Sequence, residues 1–96
     1  MSAPPKEGEV LRRRLEIKNR FGLHARAAAQ LIETARVFAA RITINDEVVD
    51  RTNMLGLMML AAAQGTTIDV AAHGPDAREA LAAIEALIEG RFNEDE

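Results

Sequence analysis

The chain contains no Cys, no Trp and no Tyr, and its aromatic content is three Phe in 96 residues. Without Cys there can be no disulfide, no thiolate metal site and no Cys nucleophile, and a small domain that folds without such staples suits a reducing compartment. His occurs only at positions 24 and 73, too few for a His-rich metal site, so neither a metal nor a bound cofactor is expected. Three Phe against eighteen Ala imply a thin aliphatic core. Pockets that enclose a small molecule run to roughly 300 Å³ or more and are lined by large apolar groups, so a deep substrate site of the chain's own is not expected. Long apolar runs are also missing. The longest, Met54 to Ala63, is far short of the roughly 20 helical residues that cross a hydrocarbon core. The start, M-S-A-P-P-K-E-G-E, lacks the apolar segment of a secretory leader. No membrane association is expected, and the location expected is cytoplasmic. A net charge of −3 argues against nucleic acid, whose phosphates need a clustered basic field. Arg12, Arg13 and Arg14 are the one basic cluster and read as a solvated strand edge.

What is present is a single small domain. Residues 1–9, with two adjacent Pro and alternating Gly and Glu, read as a flexible tail. The folded domain spans 10–92, and 93–96 is a charged tail expected to fray. From Val10, Leu11, Leu15 and Ile17 share one parity and Arg12, Arg14 and Glu16 the other, which is the signature of a strand, with Arg13 on the wrong parity. A Gly-containing loop over 19–22 leads to a helix starting near His24 or Ala25, where Ala28, Leu31, Ile32 and Ala35 recur at three- and four-residue spacing. That pattern ends around 38–40. Ile42 and Ile44 mark a second strand, Asn45 to Glu47 a turn, and Val48 and Val49 a short third strand. Thr52 or Asn53 is a good N-cap for a helix over the Met-rich run, with Gly65 as its stop. Thr66 to Ala72 reads as a fourth strand, and His73 falls in the turn that follows. Asp76 and Glu79 have capping-box spacing, and Leu81, Ile84, Leu87 and Ile88 line a final helix ending near Gly90. The order βαββαβα describes an α+β two-layer domain with one sheet face covered by helices.

The segment N-R-F-G-L-H-A-R-A-A, residues 19–28, carries the chemistry. The first turn of a helix offers unpaired N–H groups and a positive dipole end, which together bind anions such as phosphate. The same positive end disfavours imidazolium, so His24 is expected as a neutral nucleophile. Arg26 adds a fixed cation with several donors. On spacing alone a His at a helix start is more often a polar cap or loop residue.

The string G-L-H-A-R, residues 22–26, closely resembles the active-site motif of the HPr family, the histidine phosphocarriers of the bacterial phosphoenolpyruvate-dependent phosphotransferase systems. The likeness runs from about Leu11 to Ile88 and includes M-L-G-L-M-M-L, A-A-A-Q-G-T-T-I and the Gly-containing turn before the last helix. It implies an open-faced β-sandwich, a four-stranded antiparallel sheet with three helices on one face. It also implies that His24 accepts a phosphoryl group on Nδ1 and that Arg26 stabilises it. The donor would be the phosphorylated first enzyme of the system and the acceptor a downstream domain of the EIIA type, with the carrier acting as a monomer in either the sugar-uptake or the nitrogen-related regulatory branch. Where the family motif continues with Pro this chain has Ala27, a strong helix former, so a small effect on rigidity is expected. Where many members carry a kinase-phosphorylated Ser, this chain has Asn53, and Thr52 is the candidate substitute. Met54, Leu55 and Met58 match the family's apolar contact surface, with Arg36 as a weaker docking candidate. The other class of function left open is a small non-catalytic domain that binds a ligand or partner, since two-layer α+β domains host many such roles.

Overall fold

The computed structural model describes residues 8–60 and 63–94. Residues 1–7 of the expected N-terminal tail, Ala61 and Ala62 in the expected second helix, and Asp95 and Glu96 lie outside the described residues. Four strands, β1 (Val10–Glu16), β2 (Arg41–Ile44), β3 (Glu47–Val48) and β4 (Thr67–His73), form one antiparallel sheet in the order β1-β4-β2-β3. The helices are α1 (Ala25–Ala35), α2 (Met54–Met58) and α3 (Ala77–Glu89). Leu15 of β1, Ile42 and Ile44 of β2 and Ile68, Val70 and Ala72 of β4 turn their side chains to the helices and are buried. They meet Ala28, Leu31 and Ile32 of α1, Leu57 of α2, and Ala80, Leu81, Ile84 and Ile88 of α3 in one core. The sheet's other face carries Arg12, Arg14, Arg41 and Asp69, all exposed.

The irregular positions have local causes. Arg13 is tolerated on the apolar parity because β1 is an edge strand and its guanidinium reaches Glu85 of α3 at 2.6 Å. Asn45 and Asp46 join β2 to β3 with φ of 49° and 70°, the left-handed pair that a two-residue hairpin requires and that Asn and Asp accept. Gly74 has φ of 141°, and a Cβ there would lie 2.8 Å from the Cα of Ala40. Gly74→Ala is therefore expected to cost about 1–3 kcal/mol through backbone strain and overpacking, read as a lowered urea midpoint; an unchanged midpoint would contradict the close approach.

Several expected details are corrected. The first helix stops at Ala35, and the second runs only from Met54 to Met58 after a 3-10 turn over Arg51–Asn53. Asp50 caps that turn by accepting from the Thr52 amide. Asn53 caps nothing; its side-chain amide donates to Glu47 and to the Val48 carbonyl, tying the turn to β3. Asp76 forms no capping box either, because its carboxylate accepts the amides of Ala39 and Ala40 at 2.8 and 2.7 Å. His73 is the last residue of β4, paired with Val10 and Arg41, and not a turn residue.

The largest departure is at the C-terminus. After Gly90 the chain turns through Arg91, Phe92 and Asn93 with φ of 56°, 53° and 62°. Left-handed backbone costs a non-glycine residue roughly 1–2 kcal/mol. Phe92 is fully buried in the core, and burying such a side chain contributes roughly 1.5–3 kcal/mol, which offsets much of that strain. Asn93 and Glu94, expected in a fraying tail, are consequently held against the domain, and the Asn93 amide donates to Gln30 of α1 at 3.4 Å.

Candidate functional site

The loop between β1 and α1 is built around Asn19, which is fully buried. Its side-chain Nδ2 donates to the Gly22 carbonyl at 2.7 Å, and the Gly22 amide donates back to the Asn19 carbonyl at 3.3 Å. Gly22 lies at φ of 65°, a conformation glycine adopts without steric cost. The amide of His24 donates to the Gly22 carbonyl at 3.0 Å, so the loop closes tightly under the helix start. Leu23 fills the core below it. Phe21 stays 62% exposed, with the Arg20 guanidinium over its ring.

His24 is the N-cap of α1, in extended backbone, and its Nδ1 accepts from the Ala27 amide at 3.4 Å. Nε2 contacts the carboxylate of Glu94, whose other oxygen lies 3.3 Å from the Asn19 amide nitrogen. The His24 side chain keeps 31% of its surface exposed and Glu94 13%. A carboxylate only accepts and a backbone N–H only donates. The hydrogen of the ring therefore belongs on Nε2, and the Nδ1 lone pair points toward the helix start. The amides of Ala25 and Arg26 there have no carbonyl of the helix to bond. Arg26, on the first turn, is exposed and makes no hydrogen bond or ion pair with a described residue. The imidazole is partly exposed, and its Nδ1 lone pair is engaged only by the long bond from the Ala27 amide. Beside first-turn amides without a helix carbonyl and a guanidinium unpaired among the described residues, it can receive and hold an anionic electrophile.

The other candidate residues are distributed over the helical face. Met54 and Met58 are half-buried against the core, while Leu55 is 69% exposed. Met59, not singled out from the sequence, is 76% exposed. Arg36 is not brought to His24. It caps the far end of α1, about 18 Å away along the axis at 1.5 Å per residue from His24 to Arg36, and is paired with Glu33 at 2.9 Å. Thr52 spends its hydroxyl on Asp50, donating at 2.6 Å. The hydrogen bonds from the Thr52 hydroxyl and amide hold the Asp50 carboxyl below its ordinary range. Sequence reasoning missed Asn19, Phe92 and Glu94. Asn19 lay inside the motif segment as a short polar residue fit for local bonding, whereas no periodic or turn signal marked Phe92 or Glu94.

Comparison with known proteins matches residues 11–90 to the family described as the PTS HPr component phosphorylation site. The phosphocarrier protein HPr of Neisseria meningitidis serogroup A is 44% identical over 89 residues, covering 91% of this chain and 100% of that protein. The phosphocarrier protein NPr of Escherichia coli is 40% identical over 89 residues, covering 90% of this chain and 99% of that one. Among solved structures, the HPr-C-His protein of Thermoanaerobacter tengcongensis superposes with a TM-score of 0.78 at 36% identity, covering 90% of this chain and 99% of the other.

Proposed function

Because this chain belongs to the HPr family and is a phosphocarrier of the phosphotransferase system, we propose that His24 is the residue that carries the phosphoryl group, on Nδ1, with Arg26 as its electrostatic partner. The observation that supports this most directly is the ring orientation. Nε2 faces a carboxylate and Nδ1 faces the helix start, so the lone pair is on the nitrogen that an incoming group would meet beside the amides of α1. In the transfer the lone pair attacks phosphorus in line as the bond to the donor breaks, and charge builds on the equatorial oxygens. The free amides of Ala25 and Arg26 and the Arg26 guanidinium are placed to stabilise that charge.

The donor is the phosphorylated first enzyme of the system, and the acceptor a downstream domain of the EIIA type. Both bring their own catalytic groups to a partly exposed ring, which suits a monomeric, cytoplasmic carrier. The docking surface comprises Met54, Leu55 and Met58, extended by the exposed Met59 and Phe21, with Arg36 at its outer edge. Met side chains repack readily, which suits serial partners. Relatives named as HPr and as NPr are both about 40% identical to the chain over nearly its full length, and nothing in the fold or the site favours a non-catalytic binding module. Incubation with phosphoenolpyruvate and the first enzyme is expected to add an acid-labile mass of about 80 Da, one phosphoryl group. A chain that stays unmodified under conditions that phosphorylate a known HPr would refute the proposal.

A further inference from the structure

We infer that Glu94 is a positioning residue for phosphoryl transfer: its carboxylate sets the tautomer of His24 and supplies the counter-charge when the ring becomes an N-phosphoimidazolium. The inference rests on the reading of His24 as phosphoryl acceptor. Glu94 contacts Nε2, the ring nitrogen remote from the helix start, so it occupies no space that a phosphoryl group on Nδ1 requires. It is also fixed in place. The second carboxylate oxygen is held by the buried Asn19 amide, and two residues upstream Phe92 anchors the backbone in the core.

A neutral imidazole has one N–H, and whichever nitrogen bears it is useless as a nucleophile. With a carboxylate at Nε2 the hydrogen stays there and Nδ1 keeps its lone pair. When that pair forms the bond to phosphorus, the bond to the donor breaks and the donor keeps that electron pair. No proton leaves Nε2, so the ring gains one positive charge. Glu94 faces that charge across a hydrogen bond, in surroundings mostly closed to water. In the onward step the N–P electrons return to Nδ1 and the ring is neutral again. An orienting carboxylate of this kind plays the part of the third member of a catalytic triad, touching the base and not the substrate. Asn19 has a double duty, shaping the Gly22 turn and aiming Glu94.

The test compares the full chain with Glu94→Gln and Glu94→Ala. Long-range proton–nitrogen spectra of the His24 ring report the tautomer, and rapid-quench assays with the phosphorylated first enzyme report transfer. Wild-type protein is expected to show the Nε2–H form. Glu94→Gln, which can still accept that hydrogen, keeps the tautomer but transfers more slowly for want of the charge. Glu94→Ala is expected to lose the single tautomer and slow transfer by roughly 10- to 100-fold, the range typical of groups that orient an imidazole. Transfer at the wild-type rate in Glu94→Ala overturns the inference, as does an unchanged tautomer. If wild-type protein takes up no phosphoryl group, the phosphocarrier role of His24 fails, and with it the transfer role of Glu94. Slow transfer with an intact tautomer in the Ala variant would assign Glu94 to docking and also overturn it.

Discussion

His24→Ala is expected to take up no phosphoryl group at all while remaining folded. The fold survives because little rests on the ring. Its cap bond to the Ala27 amide is long, at 3.4 Å, so its loss belongs at the low end of the roughly 0.5–2 kcal/mol that removing an N-cap costs. Glu94 loses one partner but keeps the Asn19 amide. At roughly 4–8 °C per kcal/mol for a domain of this size, melting falls by a few degrees. Phosphorylation, by contrast, has no second route of the same kind. His73, the other imidazole in the chain, ends β4 between Val10 and Arg41 and does not cap a helix, the N-cap of α3 being Asp76. An adduct that persists in His24→Ala would move the chemistry to another residue, and unfolding of the variant would show that the ring is structural.

Arg26 differs from His24 in what its surroundings predict. It is exposed and makes no hydrogen bond or ion pair with the described residues, so its loss is expected to change the stability of the free protein little. Any effect of replacing it must appear with the phosphoryl group or a partner bound, which is the behaviour of a group complementary to charge that develops during transfer. In the proposed transfer the two residues of the motif divide the work. His24 is set by contacts within the fold, Arg26 is left available.

Local signals carried the sequence reading a long way. Alternation in β1, β2 and β4 located those strands within a residue or so, because each buries one face against the helices and a one-residue slip would reverse it. The helix start at His24 was legible because Gly22 and a capping side chain act over a few residues. Capping at Asp76 and Asn53 was misread for the opposite reason: both side chains found distant amides or carbonyls, at Ala39, Ala40 and Val48, and a tertiary bond displaced the local one. The shortness of α2 was hidden by a uniformly apolar run that fits a longer helix equally well. The C-terminal segment was hidden most thoroughly. Residues 91–94 contain neither Gly nor Pro, yet three of them are left-handed, and what directs them is a place for Phe92 in a core assembled from the rest of the chain. Glu94 meets His24 across seventy positions of sequence, a separation that no spacing argument spans.

Phe92→Ala should therefore be the most damaging single truncation for stability. Phe92 is the largest fully buried side chain, and emptying such a site costs about 3–5 kcal/mol through lost burial and the cavity left behind. A domain of this size has only about 5–15 kcal/mol in total. The damage is also local, because Phe92 is what offsets the left-handed strain of its neighbours. With the anchor gone, residues 91–94 have no reason to keep that path, and Glu94 leaves His24. Phe92→Ala is thus expected to lower the urea midpoint strongly and, among molecules still folded, to slow phosphoryl transfer as Glu94→Ala does. Phe92→Leu separates the two effects. It keeps an apolar anchor at a cost of roughly 1–3 kcal/mol from imperfect packing, so the segment should stay docked and the His24 tautomer should remain on Nε2. If Phe92→Ala unfolds at the wild-type midpoint, the segment is not held by that burial. If it is destabilised while the tautomer and transfer rate are unchanged, Glu94 reaches His24 by some other means than the anchor.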